Sequence, residues 1–194
     1  MEGNEVDGKP TEPFRIYSIG KVVVCRENPE LELERNGGVM PDEIVELIYS
    51  DYDLERFIQA QAYNYYDALQ EVRKGRKESC WMWYVFPQIK GLGQSSMAKK
   101  YELTNLEEAK EYLVHPVLGA RLQEICEAAL AIESDNARAV FGFPDDMKLR
   151  SSMTLFEQAD PENPIYGKLL DKYFNGRRDE MTLQILEGDG RSSM

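Results

Sequence analysis

Apolar side chains recur at steps of three and four along residues 53–75. They are Leu54, Phe57, Ile58, Tyr65, Leu69 and Val72. This spacing places them on one face of an α-helix, and Gly75 ends the pattern because glycine is a poor helix former that is common just past a helix end. The pattern therefore predicts a long amphipathic helix with one buried face.

Similar periodicity continues in the second half of the chain. Thr104 and Glu107 fit a capping box, in which a hydroxyl and a carboxylate satisfy the free backbone N–H groups at a helix start. Further helices are predicted over residues 117–132, 146–156, 162–174 and 179–186. The predicted fold class is mainly α, a compact multi-helix single domain over residues 51–187 with a C-terminal tail over residues 188–194.

The run Cys-Trp-Met-Trp-Tyr-Val-Phe at residues 80–86 is apolar on both alternating faces. Periodicity alone does not distinguish a buried strand from a buried helix in such a run. Because an aromatic side chain buries about 150–250 Å², the run predicts the centre of the core. Trp81 and Trp83 are also candidates for stacking on a base, and Gln88, which follows the run, is a candidate ligand-binding residue.

Residues 1–50 form an acidic N-terminal extension. Residues 1–13 are polar and contain glycine and proline, so we expect them to be disordered. Residues 14–25 are rich in β-branched and aromatic side chains, which predicts a small β-hairpin. A protein partner that binds through this extension is one interpretation of its charge.

The overall composition excludes several classes of protein. The chain has 194 residues, a net charge of -12 and three cysteines without a CxxC pair, which predicts free thiols. The acidic charge argues against bulk nucleic acid as a partner, because polyanion binding depends on Lys and Arg. No apolar run approaches about 20 residues and the first residues lack a signal-peptide pattern, so we expect a cytoplasmic or nuclear protein without a membrane partner. With one histidine in the chain, we expect no metal and no cofactor.

The most unusual polar string begins with Asp145 and Asp146 and continues with Lys148, Arg150 and Ser151. The basic side chains and the hydroxyl are donors for a phosphate, and the carboxylates accept from ribose hydroxyls. The string therefore predicts a small phosphate-containing ligand. Two alternatives stay open, namely an N-capping Asp followed by solvated cations and an internal ion pair between Arg150 and Asp145.

Two further sets of residues carry candidate chemistry. Glu55 and Gln59 lie four apart, so they point to the same side of the first predicted helix; the alternative is a solvated Glu that complements the helix dipole. Cys80 is a nucleophile only if His115 is its base, and the alternative is an inert thiol with a histidine that caps the next helix. The basic residues between 73 and 77 are interpreted as surface charge.

Several strings of this sequence are similar to one known family. They are Asp53-Leu54-Glu55-Arg56-Phe57, Trp81-Met82-Trp83-Tyr84-Val85-Phe86-Pro87-Gln88, Gly91-Leu92-Gly93, His115-Pro116-Val117-Leu118-Gly119 and residues 145–156. On these strings the chain resembles the domain-of-unknown-function family numbered 1810 over residues 51–187. The resemblance implies a compact, mostly helical domain without an established activity. Some members carry a calpastatin label, which nothing in this sequence supports, and Cys80 stands where the family commonly has histidine.

A second string, at residues 55–61, is similar to the Glu-His-x-Phe-Gln-Ala-Gln string of the NADAR family, named for NAD and ADP-ribose. The matching residues are Glu55, Gln59, Ala60 and Gln61. This resemblance implies cleavage of an N-glycosidic bond in a ribosylated compound. The function we predict is a nucleotide- or ADP-ribose-type ligand site with N-glycosidic hydrolysis, in which Glu55, Asp145 and Asp146 are the catalytic carboxylates.

Two other functions stay open at this point. A non-catalytic module for a ligand or a protein would use the same polar string for recognition and the N-terminal extension for a partner. A structural protein would use Asp145, Lys148 and Arg150 as an internal ion network. The first differs from the hydrolase because its ligand is released unchanged.

Overall fold

The structure is a computed structural model, and it describes residues 15–19, 22–26 and 52–192. Side chains are described from residue 52 to residue 188. Backbone contacts divide the chain into two compact units, Met1–Asp51 and Tyr52–Met194. Each unit is treated by itself below.

The first unit contains a two-stranded antiparallel hairpin. Strand β1 is Arg15–Ile19 and strand β2 is Val22–Arg26, with Ile16 opposite Cys25. Both strands fall close to the segment whose β-branched content predicts a hairpin. The expectation of disorder over residues 1–13 lies outside the described residues.

The described part of the second unit is mostly helical. Its helices are α1 Glu55–Arg73, α2 Met82–Val85, α3 Ser96–Lys100, α4 Leu106–Val114, α5 Leu118–Ala131, α6 Ala137–Phe141, α7 Asp145–Ala159, α8 Ile165–Phe174 and α9 Glu180–Ser192. The prediction of a mainly α fold is confirmed.

The core lies between helix α1 and helix α7. Helix α1 packs against α5, while α7 packs against α4, α6, α8 and α9. The ring of Tyr112 bridges the two sides, with its centroid 5.2 Å from that of Phe57 and 5.5 Å from that of Phe156. The predicted apolar face of α1 is the buried one, since Phe57, Ile58, Leu69 and Val72 are all buried. Burial of that face against the other helices holds α1 in place.

The aromatic run forms the short helix α2 rather than a strand. Trp81, Met82, Tyr84, Val85 and Phe86 are buried, as expected for the centre of a core. Trp83 faces the other way and is partly exposed. The run therefore supplies both core packing and one aromatic ring at the surface.

The start of helix α4 differs from the predicted capping box by one residue. Asn105 is the N-cap, and its side-chain oxygen accepts from the backbone N–H of Glu108 at 2.9 Å. The Glu108 carboxylate in turn accepts from the backbone N–H of Thr104 at 2.7 Å. The box on Thr104 and Glu107 was wrong, because Asn also caps well and the next residue carries an equivalent carboxylate.

The last helix continues past the predicted end of the domain. Helix α9 extends to Ser192, although residues 188–194 are predicted as a tail. Glycine costs about 1 kcal/mol relative to alanine inside a helix, so the glycines at positions 188 and 190 weaken the helix without ending it. None of the helices in the described ranges is long and apolar enough to span a bilayer.

Candidate functional site

The loop that follows helix α1 carries Lys77 back toward the molecule. Its backbone N–H donates to the Val140 carbonyl at 2.7 Å, and its Nζ donates to the Ser79 carbonyl at 2.7 Å. The same Nζ lies 2.7 Å from Asp145 Oδ2, and the Lys77 side chain is only 9% exposed. The interpretation of Lys77 as surface charge was therefore wrong, because the Gly75 turn reverses the chain and buries it.

A second lysine reaches the same carboxylate. Lys148 lies one turn after Asp145 in helix α7, and its Nζ is 2.8 Å from Asp145 Oδ1. Each oxygen of Asp145 thus holds one ammonium group, and the Asp145 side chain is 16% exposed. Two positive charges against one negative charge leave a net charge of +1 among these three side chains, in a chain whose total charge is -12. We call Lys77, Asp145, Lys148 and Trp83 the two-lysine site.

The two tryptophans have different environments at this site. Lys148 Nζ lies 4.4 Å from the ring centroid of partly exposed Trp83, within the range of a cation–π contact. Trp81 is fully buried, and Lys77 Nζ lies 5.1 Å from its centroid. Of the two candidate stacking residues, Trp83 is the one that is partly exposed.

The carboxylate of Glu71 fixes the loop that carries Lys77. It accepts from the backbone N–H groups of Glu78 and Ser79 at 2.7 and 3.0 Å, from the Ser79 hydroxyl at 2.6 Å and from Trp81 Nε1 at 2.7 Å. Burial by itself raises the pKa of Glu71, but these hydrogen bonds together outweigh it and lower the pKa to about 2. Glu71 therefore stays ionised and holds residues 78–81 against the end of α1.

The other polar residues of helix α7 have partners away from this site. Arg150 Nη2 lies 3.3 Å from Asp179 Oδ1, so the alternative of an ion pair between Arg150 and Asp145 is wrong. The carboxylate partner of Arg150 comes from the start of α9, which the local string does not contain. The Ser151 hydroxyl donates to the Met147 carbonyl at 3.1 Å, as serines inside helices often do.

Asp146 shares the first turn of α7 with Asp145 but not its partners. Its Oδ2 is 3.7 Å from Arg138 Nε, and its side chain is 16% exposed. Its Oδ1 is buried and has no hydrogen-bond partner. Asp146 is therefore a second carboxylate of equal exposure that no lysine contacts in the part of the chain that the structure describes.

Glu55 and Gln59 lie at the opposite end of helix α1. Gln59 Nε2 donates to Glu55 Oε1 at 3.3 Å, and Gln59 is exposed. Helix α1 runs from Glu55 to Arg73, which is about 27 Å at 1.5 Å per residue. Because Lys77 pairs with Asp145 beyond the C-terminal end, the structure does not bring Glu55 together with Asp145.

Gln88 and Gln61 have structural partners. The Gln88 backbone carbonyl accepts from the Leu103 N–H at 2.9 Å, which connects the segment after α2 to the segment before α4. Gln61 is buried, and its Nε2 donates to the Tyr84 carbonyl at 2.7 Å and to the Tyr112 hydroxyl at 3.0 Å. The Gln61 side-chain amide satisfies buried polar groups in the core, whereas the bond of Gln88 involves its backbone carbonyl and not its side chain.

His115 is the capping residue that the sequence predicts. Its Nδ1 accepts from the backbone N–H groups of Val117 and Leu118 at 3.2 and 3.3 Å. Burial, with a smaller effect from the positive charge of Arg121, lowers the pKa of His115 to about 4. Cys80, its proposed nucleophilic partner, is exposed rather than packed in the apolar run. Among the described side chains, no three His, Cys, Asp or Glu groups converge as metal ligands would.

Comparison with known proteins identifies the family of the second unit. The profile of the family described as "Protein of unknown function (DUF1810)" matches residues 51–186. The chain belongs to the DUF1810 family. The two-lysine site and the Trp83 ring both lie within the matched part of this DUF1810 protein.

A solved structure supports the same assignment. The crystal structure of the conserved hypothetical protein Rv1873 from Mycobacterium tuberculosis is similar to this DUF1810 protein, with 44% sequence identity and a TM-score of 0.70. The match covers 71% of this chain and 99% of that chain. No curated protein matches the chain. The resemblance to the family numbered 1810 is thus confirmed, whereas the likeness to the NADAR family is not borne out.

Proposed function

We propose that this DUF1810 protein binds a small phosphate-bearing ligand of the nucleotide type at the two-lysine site. The observation that carries the proposal is the convergence of two largely buried ammonium groups on one carboxylate. Such a site has one positive charge more than its own carboxylate neutralises. A phosphate group supplies the missing negative charge and several acceptor oxygens.

The donor geometry supports an oxyanion. An ammonium group has three N–H donors, and Lys148 Nζ uses one on Asp145 and directs its charge at the ring of Trp83. Lys77 and Lys148 are 9% and 19% exposed, so their charges are less screened by water than those of surface lysines. The lysines of the site are thus suited to a small anion rather than to an extended polyanion.

The partly exposed Trp83 ring supports a ligand with an aromatic part. Nucleotide bases stack on aromatic side chains, at about 1–3 kcal/mol per base. Trp83 lies directly beside the charge of Lys148, so a base and a phosphate from one molecule could both reach the site. This favours a nucleotide or an ADP-ribose-type molecule over inorganic phosphate alone.

N-glycosidic hydrolysis is the second candidate function. Hydrolysis needs a carboxyl group at the reacting bond that activates water or stabilises an oxocarbenium-like transition state. Asp146 is the carboxyl favoured for this role, because it lies next to Asp145 in the first turn of α7 and its Oδ1 is buried without a hydrogen-bond partner. Glu55 Oε2 is also buried without a partner, but it does not lie at the two-lysine site. Glu55 lies at the other end of helix α1 from Lys77. Hydrolysis that depends on Glu55 would therefore need a substrate bound away from the two-lysine site. Release of free base from AMP, NAD or ADP-ribose, absent in Asp146→Asn, is the result expected of this second function.

Calorimetric titration with inorganic phosphate, AMP, NAD and ADP-ribose tests the proposed binding. Lys148→Gln is expected to weaken the affinity for the compound that binds best at least about tenfold, or about 1.4 kcal/mol. Lys110→Gln is the matched control, because Lys110 also pairs with a carboxylate three residues away in its helix but is 45% exposed. Equal affinities in wild type and Lys148→Gln, or no binding of any of the four compounds, would contradict the proposal.

A further inference from the structure

We infer that Asp145 is an internal substitute for the ligand's phosphate, which a phosphate monoester displaces from Lys77 and Lys148. The inference rests on the proposed function and adds the chemical class of the ligand and the state of the free protein. In the free protein each oxygen of Asp145 already contacts one ammonium group, at 2.7 and 2.8 Å. Those are the positions that two oxygens of a bound phosphate would take.

The charges favour a dianion over a monoanion. Asp145 neutralises one of the two positive charges, so a monoanionic ligand that replaces it gains no net charge compensation. A phosphate monoester carries a charge of about -1.5 to -2 at pH 7 because its second pKa is about 6. Such a group neutralises both ammonium groups where the carboxylate neutralises one. The site is therefore expected to prefer a phosphate monoester to a carboxylate or to a phosphate diester. Among the proposed ligands this favours a nucleotide such as AMP over NAD and ADP-ribose, whose phosphates are all linked on both sides.

Displacement of Asp145 leaves the start of helix α7 intact. The Asp145 carboxylate does not cap the helix, whose N-cap residue is Pro144. The first backbone N–H groups already have partners: Asp146 N–H donates to the Gly142 carbonyl at 2.9 Å, and Met147 N–H donates to the Pro144 carbonyl at 3.1 Å. A released Asp145 still lies in the first turn of the helix, where a negative charge is favourable. Replacement of the Asp145 carboxylate by a phosphate, which we call the exchange, therefore changes side-chain contacts and no backbone hydrogen bond.

The test compares two carboxylates that each pair with a lysine. Asp145→Asn removes the internal competitor and keeps the shape of the side chain. Glu107→Gln removes one negative charge from another lysine–carboxylate pair three residues apart in a helix, Glu107 with Lys110, which lies outside the two-lysine site. Titration with inorganic phosphate at pH 7.5 is expected to show about tenfold tighter binding in Asp145→Asn and less than about threefold tighter binding in Glu107→Gln.

A second comparison tests the ligand class. Wild type is expected to bind inorganic phosphate more tightly than dimethyl phosphate, a monoanionic diester. Because both ligands displace the same carboxylate, Asp145→Asn is expected to tighten the binding of both by a similar factor and to keep the preference. Equal or tighter binding of dimethyl phosphate in wild type would overturn the assigned ligand class, and a variant that tightens neither ligand would overturn the exchange.

The possible results separate this inference from the proposed function. Weaker phosphate binding in Asp145→Asn would mean that Asp145 itself contacts the ligand. Unchanged binding would mean that Asp145 stays in its position beside the bound ligand. Either result overturns the displacement of Asp145 but keeps the phosphate site. No binding in wild type or in either variant overturns both. If thermal melting shows that Asp145→Asn is unfolded, Asp145→Ser serves instead, since serine is also well suited to a helix start.

Discussion

The two ends of helix α1 each meet an ion pair, and the two pairs are built differently. At the N-terminal end, Arg56 Nη2 lies 2.7 Å from Glu108 Oε1, and Glu108 is 2% exposed. Arg56 also donates to the Glu102 carbonyl at 2.9 Å, while Glu108 accepts from the Thr104 hydroxyl at 2.5 Å. This pair has one charge of each sign, and both oxygens of its carboxylate are hydrogen-bonded.

At the C-terminal end the charges do not balance. Lys77 and Lys148 share the single carboxylate of Asp145, next to the partly exposed ring of Trp83. A buried ion pair is compatible with a packed core when its charges balance and hydrogen bonds satisfy its polar atoms. A surplus charge beside an open aromatic ring is not needed for packing. The comparison therefore assigns structure to the Arg56 end and ligand binding to the Lys77 end, and the following variants test that division.

The largest effect is expected when the balanced pair is broken. Arg56→Met leaves the carboxylate of Glu108 buried without its cation, and removal of one partner of a buried pair costs about 3–5 kcal/mol. Urea unfolding measures this loss in the free energy of unfolding. Phosphate affinity, measured on the protein that remains folded, is expected to stay as in wild type.

Arg73→Met is the matched control for this variant. Arg73 lies on the same helix as Arg56 and pairs with Glu124 at 3.2 Å, but the two side chains are 50% and 46% exposed. Exposed pairs contribute about 0–1 kcal/mol, so the free energy of unfolding is expected to change little. If both variants destabilise equally, burial does not distinguish the two pairs and the comparison fails.

An intermediate effect is expected at the Lys77 end. Glu71→Ala removes the acceptor for the indole of buried Trp81 and for two backbone N–H groups and a hydroxyl on exposed residues. The exposed groups can bond to water, whereas a buried indole N–H left unsatisfied costs about 1–3 kcal/mol. The loop then no longer fixes Lys77, so phosphate affinity is expected to fall as well. Glu78→Ala is the control, because Glu78 is 68% exposed and pairs only loosely with Arg76 at 3.8 Å.

Acid titration gives the same variant a second readout. The pKa of Glu71 is lowered from 4.5 to about 2, so its contribution to stability is complete above pH 4.5 and is lost as the pH falls toward 2. Glu71→Ala is therefore expected to show a smaller loss of stability over that window than wild type. Parallel pH profiles for the two proteins would show that these hydrogen bonds do not hold the Glu71 carboxylate in solution.

The smallest effect is expected at His115, which follows the helix that carries Glu108. Burial lowers the pKa of His115 from 6.5 to about 4. The neutral imidazole thus stabilises the fold above pH 6.5, and this contribution is lost as the pH falls through the window toward 4. His115→Asn keeps a capping side chain without the titration, so its stability at pH 7 is expected to change by less than about 1 kcal/mol.

The contrast between two titrations completes this test. Thermal melting of wild type and His115→Asn between pH 7 and pH 4 is expected to show a steeper decline in wild type. Phosphate affinity at pH 7 is expected to be unaffected, since His115 lies outside the two-lysine site. An identical decline in both proteins would mean that the histidine is not held in its neutral form.

The helices were predictable from the sequence because local periodicity determines them. The apolar face of α1 and the cap by His115 follow from residues a few positions apart. The helical form of the aromatic run was not predictable, since it is apolar on every face and only packing selects α2. The shift of the cap from Thr104 to Asn105 was a choice between two suitable capping residues.

The candidate site was only half predictable for a related reason. Asp145 and Lys148 are neighbours on one helix, so their proximity follows from the sequence. Lys77 joins them from a distant part of the chain. No local sequence pattern predicts that the loop after helix α1 turns back and brings Lys77 to Asp145. The partner of Arg150 is likewise a matter of tertiary packing, since Asp179 comes from the next-but-one helix.

The two tryptophans also provide intrinsic fluorescence signals for folding and for ligand binding. Trp81 is buried and bonded to Glu71, so its emission reports whether the chain is folded. Trp83 is in contact with Lys148 and with solvent, so its emission and its quenching by iodide report the occupancy of the site. Because the chain contains two tryptophans in all, Trp81→Phe and Trp83→Phe separate the two signals without any attached dye.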